Sequence, residues 1–263
     1  MDTAIKMMGE AFQQSAVPNF NTQYISGDVV SRETFRYGRY VSKVFTPNKK
    51  GTTTGFFTMY AGPDMTANWN SIEIELVPSV DAHPVSLDLS YGDGSKRIQY
   101  QTYHDFQFGD QWHTYSFDWT PDYVSFSIDG QELKRYEGDH PGVVQQFREQ
   151  NIEMNYWSTR SDEHPPEDWH AGFEDADMPW SALYDYVEMY DYNEITKDFE
   201  LRWRDDFDQG YLDTNRWAVQ DNKGWDTNLS TFMASQVSVT QDGYLALTMA
   251  KNPYYMAPDL FLQ

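Results

Sequence analysis

Short runs of alternating apolar and polar residues follow one another along most of this chain. In residues 69–78 three aliphatic side chains alternate with three polar ones: Ile72, Ile74 and Leu76 against Ser71, Glu73 and Glu75. Alternation with a period of two predicts a half-buried strand, because successive side chains of a strand point to opposite faces. The pattern therefore places the three polar residues in one row, about 6.6 Å apart at about 3.3 Å per residue.

Similar runs predict an all-β protein, with turns rich in Gly, Asp and Pro between the strands. The predicted strands include Val29–Val30, Phe35–Phe45, Thr53–Tyr60, Val85–Tyr91, Ile98–Tyr103, Trp112–Trp119, Tyr123–Ile128 and Glu132–Tyr136. Residues 1–19 are predicted to form a tail or a short helix. Residues 20–263 are predicted to form one β domain, for which the length is sufficient.

The polar row of residues 71–75 suggests a chemistry. Two carboxylates aimed at the same space repel each other, so one is pushed towards its protonated form. A carboxylic acid beside a carboxylate is the pair that cleaves glycosidic bonds. The solvated face of an ordinary strand would show the same row, so the pattern alone leaves both interpretations open.

Composition narrows the possible partners. The net charge of −22 argues against a nucleic-acid partner, since phosphate contacts need Lys and Arg. The 9 Trp and 19 Tyr suit a surface that stacks sugar rings, although they also suit packing in a β-sandwich. Without Cys there are no disulfides, and no apolar run is long enough to span a membrane. No signal-peptide core is present, which predicts a cytosolic protein or a mature form whose leader has been removed.

The segment Trp69–Leu76 resembles the active-site strand of the glycoside hydrolase family 16 β-glucanases, whose pattern is Glu-x-Asp-x-Glu. The resemblance implies that Glu73 is the middle acid, which orients and tunes its neighbours, and that Glu75 is the general acid/base. It places the nucleophile at position 71. Here the sequence departs from the pattern, because residue 71 is Ser.

Other motifs extend the resemblance. Trp112–Glu132 is similar to the family's Trp-His-x-Tyr hairpin, and residues 155–157 match its Asn-x-Trp strand. The resemblance implies a concanavalin A-like jelly-roll β-sandwich of two curved sheets, with the acids on the concave face. It also implies sugar platforms at Trp69 and Trp157, and a sugar contact at Asn155.

The order of the motifs is unusual. Asp205–Trp217 resembles what is normally the first motif of the family, and Ser235–Thr248 resembles the strands that follow it. The resemblance therefore implies a circular permutation, as in some bacterial lichenases, with the usual ends joined near residues 193–198. Trp225 and Asn228 fall where permuted relatives contact substrate.

The resemblance also implies a structural calcium held by Asp185 and the carbonyl of Gly243, while the chemistry needs no cofactor. The active strand lacks an extra bulged residue, which favours mixed-linkage β-glucan or a related polysaccharide as substrate. Since polymers do not cross membranes, a secreted or periplasmic location is expected.

Ser71 decides what this chain can do. A serine hydroxyl is short and un-ionised and has no base to activate it. We therefore expect an endo-acting, retaining glycoside hydrolase that is inactive or severely impaired. Deliberate replacement of a nucleophilic Glu would explain the serine and is favoured by the intact Glu75. The alternatives are a natural pseudoenzyme that binds polysaccharide without cutting it, and a plain sandwich domain.

Overall fold

The computed structural model describes residues 22–60, 68–78, 84–158, 173–224 and 228–255, so the predicted tail 1–19 lies outside the described residues. The described ranges consist almost entirely of strands. These are β1 (Tyr24–Phe35), β2 (Gly38–Phe45), β3 (Thr52–Met59), β4 (Asn70–Leu76), β5 (Pro84–Gly92), β6 (Arg97–Asp105), β7 (Trp112–Trp119), β8 (Tyr123–Ile128), β9 (Gln131–Glu137), β10 (Gln150–Ser158), β11 (Trp180–Asn193), β12 (Asp198–Asp205), β13 (Trp217–Val219), β14 (Ser230–Phe232), β15 (Val237–Val239) and β16 (Leu245–Lys251).

Helix is scarce in the described ranges. One α-helix, α1, spans Pro141–Val144, and a 3₁₀ turn spans Ala234–Gln236. Within the described residues no helix has the length and apolar character needed to cross a membrane.

The strands form one curled sheet in the order β6-β5-β4-β3-β10-β1-β16-β11-β2-β7-β8-β9. Neighbours on this path are antiparallel, and of the pairs beside it only the short contact of β1 with β14 is parallel. Antiparallel neighbours suit the short turns that the sequence provides. The predicted all-β, jelly-roll-like fold is confirmed.

The two halves of the sheet pack against each other around one hydrophobic core. Phe56 of β3 contacts Phe117 of β7, with ring centroids 5.6 Å apart. The hydroxyl of Tyr184, on β11, donates to the carbonyl of Gly55 on β3 at 2.7 Å. The strands β6-β5-β4-β3-β10-β1 thus form one layer, and its side facing away from the core is called the acidic face below.

The chain that follows residues 193–198 is built into both layers. The β11–β12 connection is a hairpin in which Asn193 pairs with Asp198. Strand β16 then lies between β1 and β11, and its Leu245 and Leu247 are fully buried in the core. The C-terminal strands therefore complete the same sandwich.

One predicted run is divided in the structure. The sequence predicts a continuous strand from Phe35 to Phe45, whereas β1 ends at Phe35 and β2 starts at Gly38. Tyr37, between them, has a φ of 53°, in the left-handed region that interrupts a strand. This prediction was wrong because the run carries no breaker other than Gly38.

Candidate active site

The candidate site begins with strand β4, where the predicted alternation is confirmed. Ile72, Ile74 and Leu76 lie in the hydrophobic core. Ser71, Glu73 and Glu75 alternate with them and therefore belong to the acidic face. Ser71 is fully buried and Glu73 is 8% exposed, so this row is packed among neighbours and is not an ordinary solvated face.

Ser71 lies within a hydrogen-bonded chain. The indole Nε1 of Trp69 donates to Ser71 Oγ at 2.7 Å. The Ser71 hydroxyl in turn donates to Glu73 Oε1. Both functions of the hydroxyl are used, and the side chain presents no carboxylate. The structure thus brings the three predicted positions together, but without a nucleophilic carboxylate at the first of them.

Arg97 of β6 joins this chain to strand β5. Its Nη2 lies 2.9 Å from Glu73 Oε1 and 3.4 Å from an oxygen of Asp88. Its Nε donates to Ser90 Oγ at 3.0 Å, and its guanidinium lies 4.4 Å from the centre of the Trp69 ring. One cation therefore neutralises two carboxylates and covers a face of the predicted sugar platform.

Glu75 has the electrostatic environment of an acid. Burial, followed by the nearby charges of Glu73 and Asp88, raises the pKa of Glu75 from 4.5 to about 8. Arg97 opposes this rise. Burial, followed by Glu73, also raises the pKa of Asp88, to about 6. At neutral pH Glu75 therefore holds its proton beside carboxylates, as the sequence pattern predicts for one member of the row.

A second carboxyl pair lies further along the same face. Glu153 and Asn155 of β10 alternate with the core residues Ile152, Met154 and Tyr156, and Asp28 of β1 pairs with Asn155. Burial and then the neighbouring Glu153 raise the pKa of Asp28 well above its usual range. Burial raises the pKa of Glu153 from 4.5 to about 7, with Asp28 opposing the rise and Glu73 adding to it.

The predicted sugar-contacting residues fall into different environments. Trp69 is half-buried under Arg97. Trp157 belongs to the acidic face by alternation from Asn155, but it is only 7% exposed, so most of its ring is covered. Asn228 is buried, and its Oδ1 accepts from the N–H of Ser230 at 2.8 Å and from the Ser230 hydroxyl at 2.9 Å. Trp225 lies outside the described residues.

At the predicted calcium position the aspartate already has a cationic partner within the chain. Tyr184 pairs with Leu245, so the β11–β16 ladder brings Asp185 to the same end as Gly243. However, the Asp185 carboxylate is bound to the ammonium of Lys43 at 2.8 Å. Within the described ranges no group of three or more His, Asp or Glu side chains could hold a metal. The residues present favour a lysine ammonium at this position over calcium.

Four members of the site are absent from the sequence prediction: Asp28, Asp88, Arg97 and Glu153. They reach the acidic face from strands β1, β5, β6 and β10, and strand pairing cannot be deduced from the β4 motif alone. A signal was present in two cases. Asp88 alternates with Leu87 and Leu89, and Glu153 stands two residues before Asn155.

Comparison with known proteins gives one family. A model of the glycosyl hydrolases family 16 matches residues 5–182. A β-glucanase of Fibrobacter succinogenes is 26% identical over 247 residues, covering 89% of this chain and 66% of that protein. A β-glucanase of Acetivibrio thermocellus is 30% identical over 167 residues, covering 64% of this chain and 46% of that protein. The chain thus spans about two thirds of the first relative and about half of the second.

Solved structures agree on the fold. A glycoside hydrolase family 16 endo-glucanase from Bacteroides ovatus superposes with a TM-score of 0.51 at 14% identity, covering 67% of this chain and 92% of that one. The Crh5 transglycosylase superposes with a TM-score of 0.51 at 17% identity, covering 63% of this chain and 68% of that one. At such identities the likeness concerns the fold alone.

Proposed function

The chain belongs to family 16 of the glycosyl hydrolases, and from this premise we propose that it is built as an endo-acting hydrolase of a β-linked glucan or a related polysaccharide. The observation that carries the proposal is Glu75, whose raised pKa keeps it protonated at neutral pH on a row shared with Glu73. A protonated carboxyl beside carboxylates is the acid that glycosidic cleavage requires. The β-glucanase relatives support the choice of a β-glucan as substrate.

In the proposed chemistry Glu75 protonates the oxygen of the leaving sugar. Glu73, held by Arg97, orients the row and keeps a negative charge near Glu75. In a retaining hydrolase a second carboxylate, about 5 to 5.5 Å from the acid, attacks the anomeric carbon. Position 71 corresponds to that group by family resemblance, and the same Glu75 would then activate water for the second step.

Ser71 cannot supply the carboxylate that attacks the anomeric carbon in this mechanism. Its hydroxyl is bound by Trp69 and Glu73, and it is fully buried. Glu73 is a poor replacement, because its Oε1 already accepts from Ser71 and from Arg97. We therefore propose that the chain, as written, cleaves its polysaccharide very slowly or not at all.

A second candidate function is polysaccharide binding without cleavage. The observation that favours it is the closed network around Ser71. The serine donates one hydrogen bond and accepts another, and Arg97 balances the charges beside it. If Ser had replaced Glu in an active site that was otherwise unchanged, we would expect a void or hydrogen-bond donors without an acceptor beside it. The network thus supports a site adapted to serine.

Restoring the carboxylate separates the two candidates. Reducing-sugar release would be measured on a panel of β-glucans and galactans for the chain, for Ser71→Glu and for the control Ser71→Glu/Glu75→Gln. If the site is a disabled hydrolase, Ser71→Glu raises the rate on one polymer by at least about a thousandfold, and the control abolishes the gain. If Ser71→Glu cuts nothing while the chain still binds a polysaccharide, the binding function is correct.

We also propose that the chain is circularly permuted at residues 193–198. The family model ends at residue 182, whereas the match to the Fibrobacter succinogenes β-glucanase extends over 247 residues. The Asn193–Asp198 hairpin lies between strands of the same sandwich, where natural ends could have been joined. A reordered chain that starts at Asp198 and ends at Asn193 should fold with unchanged circular dichroism. A reordered chain that stays unfolded would contradict the proposal.

The proposed substrate is a polymer, so we propose a secreted or periplasmic location. Polysaccharide is the proposed partner, and the net charge of −22 opposes binding to nucleic acid. The proposed acid–base chemistry requires no cofactor. Fractionation of cells that express the native gene would test the location, and retention in the cytoplasm would contradict it.

A further inference from the structure

A buried chain of side-chain amides lies beneath strand β4, on the side away from the acidic face. Its central member, Gln146, follows helix α1 and is 1% exposed. The Nε2 of Gln146 donates to the carbonyl of Ser71 at 3.2 Å and to the carbonyl of Ser90 at 2.6 Å. Ser71 and Ser90 stand directly opposite each other on β4 and β5. Both donors of one amide are thus used to bridge the backbones of the two strands.

The acceptor of the same amide is used as well. Gln146 Oε1 accepts from Gln150 Nε2 at 2.8 Å, and Gln150 Oε1 accepts from the hydroxyl of Thr58 at 2.7 Å. Gln150 and Thr58 lie on β10 and β3, and both are fully buried. Gln150 pairs with Phe35, which belongs to the hydrophobic core, so the amides approach β4 from the core side. A hydrogen-bonded polar network inside a core fixes one arrangement of the strands that it joins.

The residue before Ser71 is tied to the same segment of the chain. Asn70 is buried, and its Oδ1 accepts from the backbone N–H groups of Phe147 and Arg148, both at 3.1 Å. Residues 146–148 therefore bind two consecutive residues of β4. They do so at the end of the strand where position 71 stands.

The two bridged carbonyls belong to serines whose side chains serve the acidic face. The Ser71 hydroxyl donates to Glu73, and the Ser90 hydroxyl donates to Asp88. A carbonyl carbon is bonded to the Cα of its own residue, so holding the carbonyl also fixes the direction of the Cα–Cβ bond. Gln146 thus acts from beneath on the same two residues whose side chains bind the carboxylates above.

We propose that Gln146 is a positioning residue for position 71: it holds the backbone there and so sets where the side chain of residue 71 lies relative to Glu75. The inference rests on the proposed function, in that it takes position 71 as the nucleophile position. Retaining chemistry needs two carboxyl groups about 5 to 5.5 Å apart. A displacement of about 1 Å at a reacting group can lower a rate by about a hundredfold. An amide buried beneath the strand therefore affects the reaction without touching the sugar.

The first test uses the chain with Ser71 in place and needs no activity. The indole N–H of Trp69 donates to Ser71 Oγ at 2.7 Å, so its proton NMR signal reports where residue 71 stands. Gln146→Met has nearly the same length but no amide. It should move this signal upfield and make the indole proton exchange with solvent at least about tenfold faster. The signal is assigned by its loss in Trp69→Phe.

Two further variants separate positioning from general stability. Ser42→Ala removes the hydrogen bond of a fully buried hydroxyl to the carbonyl of Tyr186 in the other layer, and it should leave the Trp69 signal unchanged. Gln146→Asn keeps the amide but is one methylene shorter, so it cannot reach both carbonyls, and it serves as the test if Gln146→Met does not fold. An unchanged Trp69 signal in a folded Gln146 variant would overturn the inference.

The second test measures the reaction in the Ser71→Glu background. Adding Gln146→Met should lower kcat by about ten- to a hundredfold and change KM by less than about twofold, because the substrate contacts are kept while the attacking group is displaced. Adding Ser42→Ala should change neither constant. A change confined to KM, or an unchanged kcat in a folded Gln146 variant, would contradict the positioning role.

The outcomes distinguish this inference from the proposed function. If Ser71→Glu cuts no polymer, the hydrolase proposal fails, and the Trp69 signal still shows whether Gln146 holds residue 71. If Ser71→Glu is active and the Gln146 variants behave like Ser42→Ala in both tests, the positioning inference fails and the hydrolase proposal stands.

Discussion

Two groups of carboxylates lie on one face of this protein, and they are balanced in opposite ways. Glu73 and Asp88 share the guanidinium of Arg97, with which both form ion pairs. Among the described residues, Asp28 and Glu153 contact each other and the amide of Asn155 and form no ion pair. Since the two groups sit on the same sheet, neither the fold nor the composition explains the difference.

The two groups differ in whether a basic side chain of the described residues neutralises them. The Arg97 group has its counterion within the chain, so it is stable without a ligand. Asp28 and Glu153 have no counterion among the described residues, and burial raises the pKa of both carboxyl groups.

Removing the counterion should have the largest effect on stability. Arg97→Met would leave Glu73 and Asp88 without a cation, and we expect the free energy of unfolding at pH 7 to fall by about 2–4 kcal/mol. Urea denaturation measures this. The loss should shrink below about pH 6, where Asp88 becomes protonated, because burial raises its pKa to about 6.

A matched control for that variant is Arg135→Met. Arg135 pairs with Glu132 on the protein surface, where both side chains are a third or more exposed. Its removal should change the free energy of unfolding by no more than about 1 kcal/mol. Equal losses for the two arginine variants would show that Arg97 does not balance a buried group.

Removing a buried carboxyl group that has no counterion should stabilise the protein, whereas removing Arg97 should destabilise it. The pKa of Glu153 is raised from 4.5 to about 7 in the folded protein. Its contribution to stability is therefore present below about pH 4.5 and lost as the pH rises through about 7, an upper limit of about 3 kcal/mol. Glu153→Gln lacks this loss, so we expect it to be more stable than the parent by about 1–3 kcal/mol at pH 8.

That gain should disappear at pH 4, where the parent Glu153 is protonated in both states. Denaturation curves at the two pH values, with Glu137→Gln as the control, measure it. A variant that is less stable than the parent at pH 8 would mean that the Glu153 carboxylate stabilises the fold at that pH.

Asp185, like Glu73 and Asp88, has a counterion within the chain and should show the smallest effect. Because Lys43 already binds it, a chelator should shift the melting temperature by less than about 1 °C. Lys43→Met should lower the free energy of unfolding by no more than about 1 kcal/mol, since both side chains are about a third exposed. A marked fall of the melting temperature on chelation would restore the calcium prediction.

Much of this fold could be predicted from the sequence because its signals are local. The alternation around Glu73 and the turn at Asp129-Gly130 each act within a few residues, and the hairpin Trp112–Trp119 with Tyr123–Ile128 matches β7 and β8 as predicted. The break at Tyr37 was missed, because a positive φ at a non-glycine residue leaves little trace in the sequence.

The candidate site could be predicted only where it lies on one strand. The row of β4 was identified from its own alternation. Arg97 and Glu153 could not be assigned to it, because register between distant strands depends on the whole sheet. The counterion of Glu73, and the lack of a cation bound to Asp28 among the described residues, are therefore structural findings. The contact of Lys43 with Asp185 could not be predicted for the same reason, since Lys43 arrives from another strand.

The central claim is that Glu75 keeps its proton at neutral pH on the acidic face. Carbon-13 NMR of the Glu side-chain carboxyls, with the Glu75 signal assigned by its loss in Glu75→Gln, measures this directly during a pH titration. The account predicts a midpoint near 8 for Glu75, as its burial beside Glu73 and Asp88 requires. A midpoint at the ordinary value of 4.5 would contradict it, because Glu75 would then be ionised when an acid is needed.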